Sequence, residues 1–253
     1  MDAFYIFLAV MTGMAVIVFV ALYFVKAGYG MFFDAKWGRP IDNRLGWVLM
    51  EAPVFVAMFF FWYFSGRRYE LVPFIFFLFF ELHYFQRSFI FPLLLNGKGR
   101  MPLGIMLMGI TFNVLNACMQ GGWIFYVAPS DLYTPTWLTS PQFIVGTLLF
   151  FVGMYINIQS DHIIRHLRRP GDTGHYLPKG GMFRYVTSAN YLGEIVEWIG
   201  FAILTWSLAG AVFAIWTFAN LVPRANTIYH KYLGSFGDEM KTRHLKRVIP
   251  FIY

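Results

Sequence analysis

A single cysteine, Cys118, excludes an intrachain disulfide and a cysteine-rich metal site. Charge is also scarce. Asp, Glu, Lys and Arg make up 13% of the 253 residues, about half the share of an average soluble domain. A soluble core of this size would need a charged shell that the chain does not have. No GxGxxG follows a strand pattern, no P-loop is present, and neither HExxH nor GxSxG occurs. A Rossmann domain, a Walker nucleotide site, a zincin centre and a hydrolase elbow are therefore excluded. His162 and His166 stand at i and i+4, but Arg165 and Arg168 crowd them with positive charge, so no metal is expected. No repeat, linker or low-complexity segment is visible, and a single domain over 1–253 is expected.

What the chain has is apolar length. Hydrophobic residues make up 58% and aromatic residues 21%. Seven apolar runs can be placed at about 3–25, 45–64, 71–95, 101–127, 143–158, 188–207 and 208–221. Most are long enough, at 1.5 Å per residue, for about 30 Å of hydrocarbon. The boundary between the last two is marked only by Ala209-Gly210. The start MDAFYIFLAV has no basic n-region, so it reads as a retained first span. With the N-terminus outside, the inner loops and tail hold seventeen Lys and Arg residues and the outer loops hold Arg67 and Arg68. That asymmetry puts the C-terminus in the cytosol. The expected fold is an all-α polytopic membrane protein of seven transmembrane helices, in a bacterial inner membrane or the endoplasmic reticulum, and a monomer. The net charge of +7 sits in short loops, where it serves topology and anionic ligands and not a nucleic-acid groove.

Ionisable groups inside such runs are costly and tend to face a partner or a cavity. Glu51 lies in the second run, just before Pro53. In the third, Glu81, Tyr84 and Arg87 follow at three-residue steps on one helix face, with His83 beside them as a core residue. A buried carboxyl near a phenol is a plausible acid pair. Asn157, Asp161, Arg165 and Arg168 share a helix face, and Asn190, Glu194 and Glu197 repeat the pattern after the loop. Arg165, Arg168 and Arg169 suit phosphates, and Asn190 and Glu194 suit amide or ribose hydroxyls.

Taken together, these residues resemble the steroid 5α-reductase family. The resemblance is carried, in order, by Gly28-Tyr29-Gly30, Glu51-Ala52-Pro53, His83-Tyr84-Phe85 with Arg87, Asn157-Ile158 through Ser160-Asp161, and Leu167-Arg168 with Pro170-Gly171. Pro178 with Gly180-Gly181, Ala189 to Glu194 with Glu197-Trp198, Tyr232, and the closing Ile249-Pro250-Phe251-Ile252 complete it. The last hundred residues or so match best.

The resemblance implies a membrane enzyme that uses NADPH to reduce the Δ4 double bond of a 3-oxosteroid. Glu51 and Tyr84 would polarise the 3-ketone, hydride would reach C5, and C4 would gain a proton. The cofactor-binding positions would be Tyr29, Arg87, Arg100, Asn157, Asp161, Arg165, Arg168, Asn190, Glu194 and Tyr232. One departure is Met50 before Glu51, where animal members have Gln, and another is His175 in place of Tyr. Related reductases of polyprenols or enoyl-CoA share the cofactor positions. A membrane isoprenylcysteine or phospholipid methyltransferase is the alternative of another class, and it would have no need of the arginines.

Overall fold

The computed structural model describes residues 2–96, 99–167, 174 and 176–253. It is helical almost throughout. Helix α1 (Asp2–Phe24) is followed by two short 3-10 turns and the strand β1 (Pro40–Asp42). Then come α2 (Asn43–Tyr63) and α3 (Leu71–Phe85), which runs through a π turn at Gln86–Ile90 into α4 (Phe91–Leu94). Strand β2 (Arg100–Pro102) precedes α5 (Leu103–Gly122), which ends in a second π turn at Trp123–Val127. Helices α6 (Pro141–Arg165), α7 (Ala189–Thr205) and α8 (Leu208–Thr242) complete the chain.

Among the described residues, six helical segments are long and apolar enough to cross a membrane: Ala3–Phe24, Asn43–Tyr63, Leu71–Leu94, Leu103–Val127, Pro141–Arg165 and Leu208–Thr242. The chain is an all-α, multi-pass integral membrane protein. The exposed side chains of these helices, such as Ile6, Ile17, Phe60, Leu107 and Leu148, are apolar, as lipid contact requires. Helix α7, at 17 residues, is shorter than these six.

The chain forms two compact units. The first comprises Met1–Ala9, Ala27–Ile144 and Thr205–Gly210, and the second Val10–Lys26, Val145–Leu204 and Ala211–Tyr253.

In the first unit, Asp42 caps α2 by accepting the Leu45 N–H at 3.0 Å. The strands β1 and β2 pair antiparallel, with Asp42 opposite Arg100. Pro53 lacks an N–H, so the carbonyl one turn before it loses its helical donor. That carbonyl is Leu49's; the next one, of Met50, takes a side-chain donor, Asn113 Nδ2, at 2.8 Å. Met50, Met101 and Met106 form a buried cluster beside it. At the other end of these helices, Arg67 donates to the carbonyls of Ile124 and Ala128 and to Glu70, which ties the α2–α3 turn to the second π turn. Tyr133, 3% exposed, donates to the Thr205 carbonyl and accepts from Trp123 Nε1. Its burial pushes the phenol above the ordinary tyrosine range.

In the second unit, α6 and α7 run backbone to backbone. A Cβ added at Gly153 would lie 2.2 Å from Glu197 N, and one at Gly200 would lie 2.4 Å from Phe150 N. Added Cβ atoms at Gly146 and Gly193 would meet backbone just as closely. Each helix thus presents two glycines seven residues apart, and no side chain separates the main chains at those points. The Asn157 amide closes this seam by donating to the Asn190 carbonyl at 3.0 Å. At the C-terminal end, Arg243 donates to the Phe183 carbonyl at 2.8 Å, and Lys179 pairs with Glu239 at 2.8 Å. Thr187 and Ser188 bond to the backbone of Lys246 and Arg247. The segment ahead of α7 is held in place by the tail.

The break between α7 and α8 falls at Trp206, whose φ of 45° is left-handed, and at Ser207, whose hydroxyl accepts the Gly210 N–H at 2.9 Å. That is an N-cap, with Ala209 and Gly210 already inside the first turn of α8. Helix α8 continues through Pro223 and leaves helical geometry at Phe236.

Candidate functional site

The first unit gathers several of the residues singled out in the sequence. Trp47, one turn before Glu51 on α2, is the hub. The Arg87 guanidinium lies 4.6 Å from its ring and 4.4 Å from that of Phe91. Tyr29 meets the same indole edge-on at 6.2 Å. Tyr29 and Arg87 are therefore brought to one aromatic cluster. Arg87 reaches it from the π turn at Gln86–Ile90.

Glu51 and Tyr84 are 9% and 3% exposed. Tyr84 packs on Phe80 and His83. Both polar heads are engaged by α5. Asn113 Nδ2 donates to Glu51 Oε2 at 3.0 Å, and Asn116 Nδ2 donates to the Tyr84 phenol oxygen at 3.0 Å. Gln120 Nε2 reaches Asn116 Oδ1 at 3.3 Å and the Ala209 carbonyl at 2.9 Å. All three amides are buried. They carry no charge, so they do not stand out in an apolar run as Glu51 and Glu81 do. The available signal was their spacing: 113, 116 and 120 share one helix face inside an apolar span.

Glu81 is also buried, and neither of its carboxyl oxygens has a hydrogen-bond partner among the described residues. Arg100 pairs across the two-stranded sheet with Asp42. It is exposed on β2 and lines an open depression of about 330 Å³ with Pro40, Ile41, Asp42 and Gly99.

The second unit carries the other polar stripe. Asn157 and Asp161 on α6 are 3% and 5% exposed, and Arg165, one turn on, is half-buried. Asn190 and Glu194 on α7 are half-buried, and the Asn157–Asn190 bond joins the two stripes. The hydroxyls of Ser160 and Ser188 are buried without a hydrogen-bond partner among the described residues. Buried hydroxyls, amides, carboxylates and an arginine on one apolar helix pair fit a ligand rich in hydroxyls and phosphates. Tyr232 is buried on α8 against Phe236. Arg224, not anticipated from the sequence, is 9% exposed and donates to Tyr191 at 2.7 Å. Arg168 lies outside the described residues, as do Arg169 and His175.

Residues 99–253 match the family model described as 3-oxo-5-alpha-steroid 4-dehydrogenase. Over the longer chain, similarity extends to named relatives. The chain is 39% identical to mouse 3-oxo-5-alpha-steroid 4-dehydrogenase 1, over 94% of this chain and 92% of that protein. It is 41% identical to the human protein of the same name, over 84% and 81%. It is 37% identical to the steroid 5-alpha-reductase DET2 of Gossypium hirsutum, over 92% and 91%.

Proposed function

This chain belongs to the steroid 5α-reductase family, an oxidoreductase family acting on CH–CH groups, and on that premise we propose that it reduces the Δ4 double bond of a 3-oxosteroid with hydride from NADPH. One observation supports the chemistry above the others. Two buried groups able to carry protons, Glu51 on α2 and Tyr84 on α3, are each held by an amide of α5.

Tyr84 holds a proton on Oη and donates it as a hydrogen bond to the 3-oxo oxygen. Glu51 accepts from Asn113 through Oε2, so a proton on its carboxyl sits on Oε1 and is donated from there. Bound NADPH supplies the hydride that C5 accepts. Negative charge then builds on the 3-oxo oxygen, where donors already in place in a dry site stabilise it far more than water-exposed donors would. C4 takes up a proton to complete the reduction. Asn157, Asp161, Arg165, Asn190, Glu194 and Tyr232 are assigned to the nucleotide, with Arg168 from the same sequence motif. Tyr29, Arg87 and Arg100 of the first unit keep the same assignment from the resemblance. We also propose seven spans, with α7 as the shortest, an outer N-terminus and a cytosolic C-terminus.

The deciding experiment follows NADPH consumption by detergent-purified protein with testosterone or progesterone, and measures the product mass. A gain of two hydrogens is expected. NADPH binding without turnover would point to another enone or a polyprenol. A melting temperature raised by S-adenosylmethionine, with no response to NADPH, would overturn the reductase reading. Tyr84→Phe is expected to lower kcat by about a hundredfold, the loss typical of an oxyanion donor, with NADPH affinity retained. Full activity in that variant would remove Tyr84 from the ketone.

A further inference from the structure

The Gln120–Asn116–Tyr84 chain of hydrogen bonds runs in one direction. A main-chain carbonyl only accepts. The Ala209 carbonyl, 2.9 Å from the Gln120 side chain, therefore fixes the near atom of that amide as Nε2. The same Nε2 lies 3.3 Å from Asn116, so the Asn116 atom facing it is the acceptor Oδ1. The far end of that amide is then Nδ2, a pure donor, 3.0 Å from the Tyr84 oxygen. The phenol oxygen must accept, and its one proton cannot go to Asn116. Every link is buried, Asn116 at 0% and Gln120 at 1% exposure, so water does not scramble the order. Ala209 lies in the first turn of α8 and belongs to the same unit as α5 and α3.

We propose that Asn116 and Gln120 are positioning residues that make Tyr84 a one-way donor toward the substrate carbonyl. The inference rests on the assignment of Tyr84 to the 3-ketone. The relay has two effects. It keeps the Tyr84 proton from being given to Asn116, so that the phenol can turn it to the substrate oxygen when the steroid is bound. It also strengthens the donor, because a hydroxyl that accepts a hydrogen bond donates a stronger one, by roughly 10–30% per bond. Neither amide touches the substrate in this scheme.

The test reads the ketone directly. Purified protein is loaded with a Δ4-3-oxosteroid carrying carbon-13 at C3, and the carbonyl stretch is recorded by difference infrared spectroscopy. In the unmodified protein the band is expected to move to lower frequency on binding. Tyr84→Phe should abolish most of that movement. Asn116→Leu should lose roughly a fifth of it and lower kcat several-fold, with the KM for NADPH unchanged. In the Tyr84→Phe background, Asn116→Leu should change neither the band nor the residual turnover, because the relay acts only through the phenol. Gln120→Leu should behave as a weaker Asn116→Leu, and it supplies the same cycle should the Asn116 variant fail to fold.

Two failures are distinguishable. An unchanged band and full turnover in Tyr84→Phe would sink the ketone assignment and the relay together. A large effect of Tyr84→Phe combined with an Asn116→Leu effect that persists undiminished in its background would overturn the relay alone.

Discussion

At the scale of the residue, the site is a set of acid groups whose orientation comes from neutral neighbours. Asn113 serves two acceptors at once, the Met50 carbonyl and the Glu51 carboxyl. Asn113→Leu leaves both without that donor in a buried setting, a loss of about 1–3 kcal/mol. It is expected to lower the melting temperature and kcat together, whereas Asn113→Gln should recover part of each; unchanged kcat would separate Asn113 from Glu51. Tyr133 gives a second residue-scale prediction, this time in pH. Its folded phenol titrates above the ordinary tyrosine value of 10.0 because it is buried. The unfolded chain therefore ionises first, so the stabilisation is intact below pH 10 and is lost as the pH rises past it. Melting temperature followed from pH 8 to 11 should fall at the alkaline end, and Tyr133→Phe should flatten that fall while lowering the starting value. The charged residues of the candidate site stood out in the sequence because charge inside an apolar run is conspicuous. The buried amides of α5 did not, and neither did Arg224, which stands about one and two-thirds turns from its nearest basic or acidic neighbour in a long helix.

At the scale of the element, hydropathy finds where a helix is apolar, not where it stops. Helix α6 runs to Arg165 and not merely to the end of its apolar stretch at about residue 158, because Asn157, Asp161 and Arg165 continue the same helical stripe. Helix α8 likewise continues past Pro223 as far as the kink at Phe236, although its apolar run ends near 221. The two π turns carry no periodic signal in a stretch already rich in aromatics, so they are visible only in the structure. The α6–α7 seam yields a sharp contrast between glycines. Gly153→Ala would drive a Cβ to 2.2 Å from the Glu197 nitrogen, and overpacking of this kind costs about 1–3 kcal/mol or more. Gly13, on α1, has nothing within 4 Å of an added Cβ, so Gly13→Ala should stabilise by about 0.5–1 kcal/mol. Thermal melts of the two variants should move in opposite directions. A Gly153→Ala protein as stable as the unmodified one would mean that the helices are not in backbone contact.

At the scale of the whole molecule, the unequal distribution of Lys and Arg makes the orientation testable without any substrate. In a Cys118→Ser background, a cysteine at the exposed Thr136 should react with a membrane-impermeant maleimide in intact cells, and one at the exposed Ser235 should react only after the membrane is opened. The reverse pattern would invert the topology, and labelling of both in intact cells would remove the seventh span. Fold class and family were readable at this scale from composition and motif order, since both are summed over the entire chain. The seam between α6 and α7 has one more consequence. Where two main chains touch through glycines, there are no rotamers to freeze when a ligand settles on the adjoining face. That part of the ordering entropy is already lost when the protein folds. Calorimetry of nucleotide binding to this face should therefore show a small entropic penalty for its size, a property of a surface that is rigid before anything arrives.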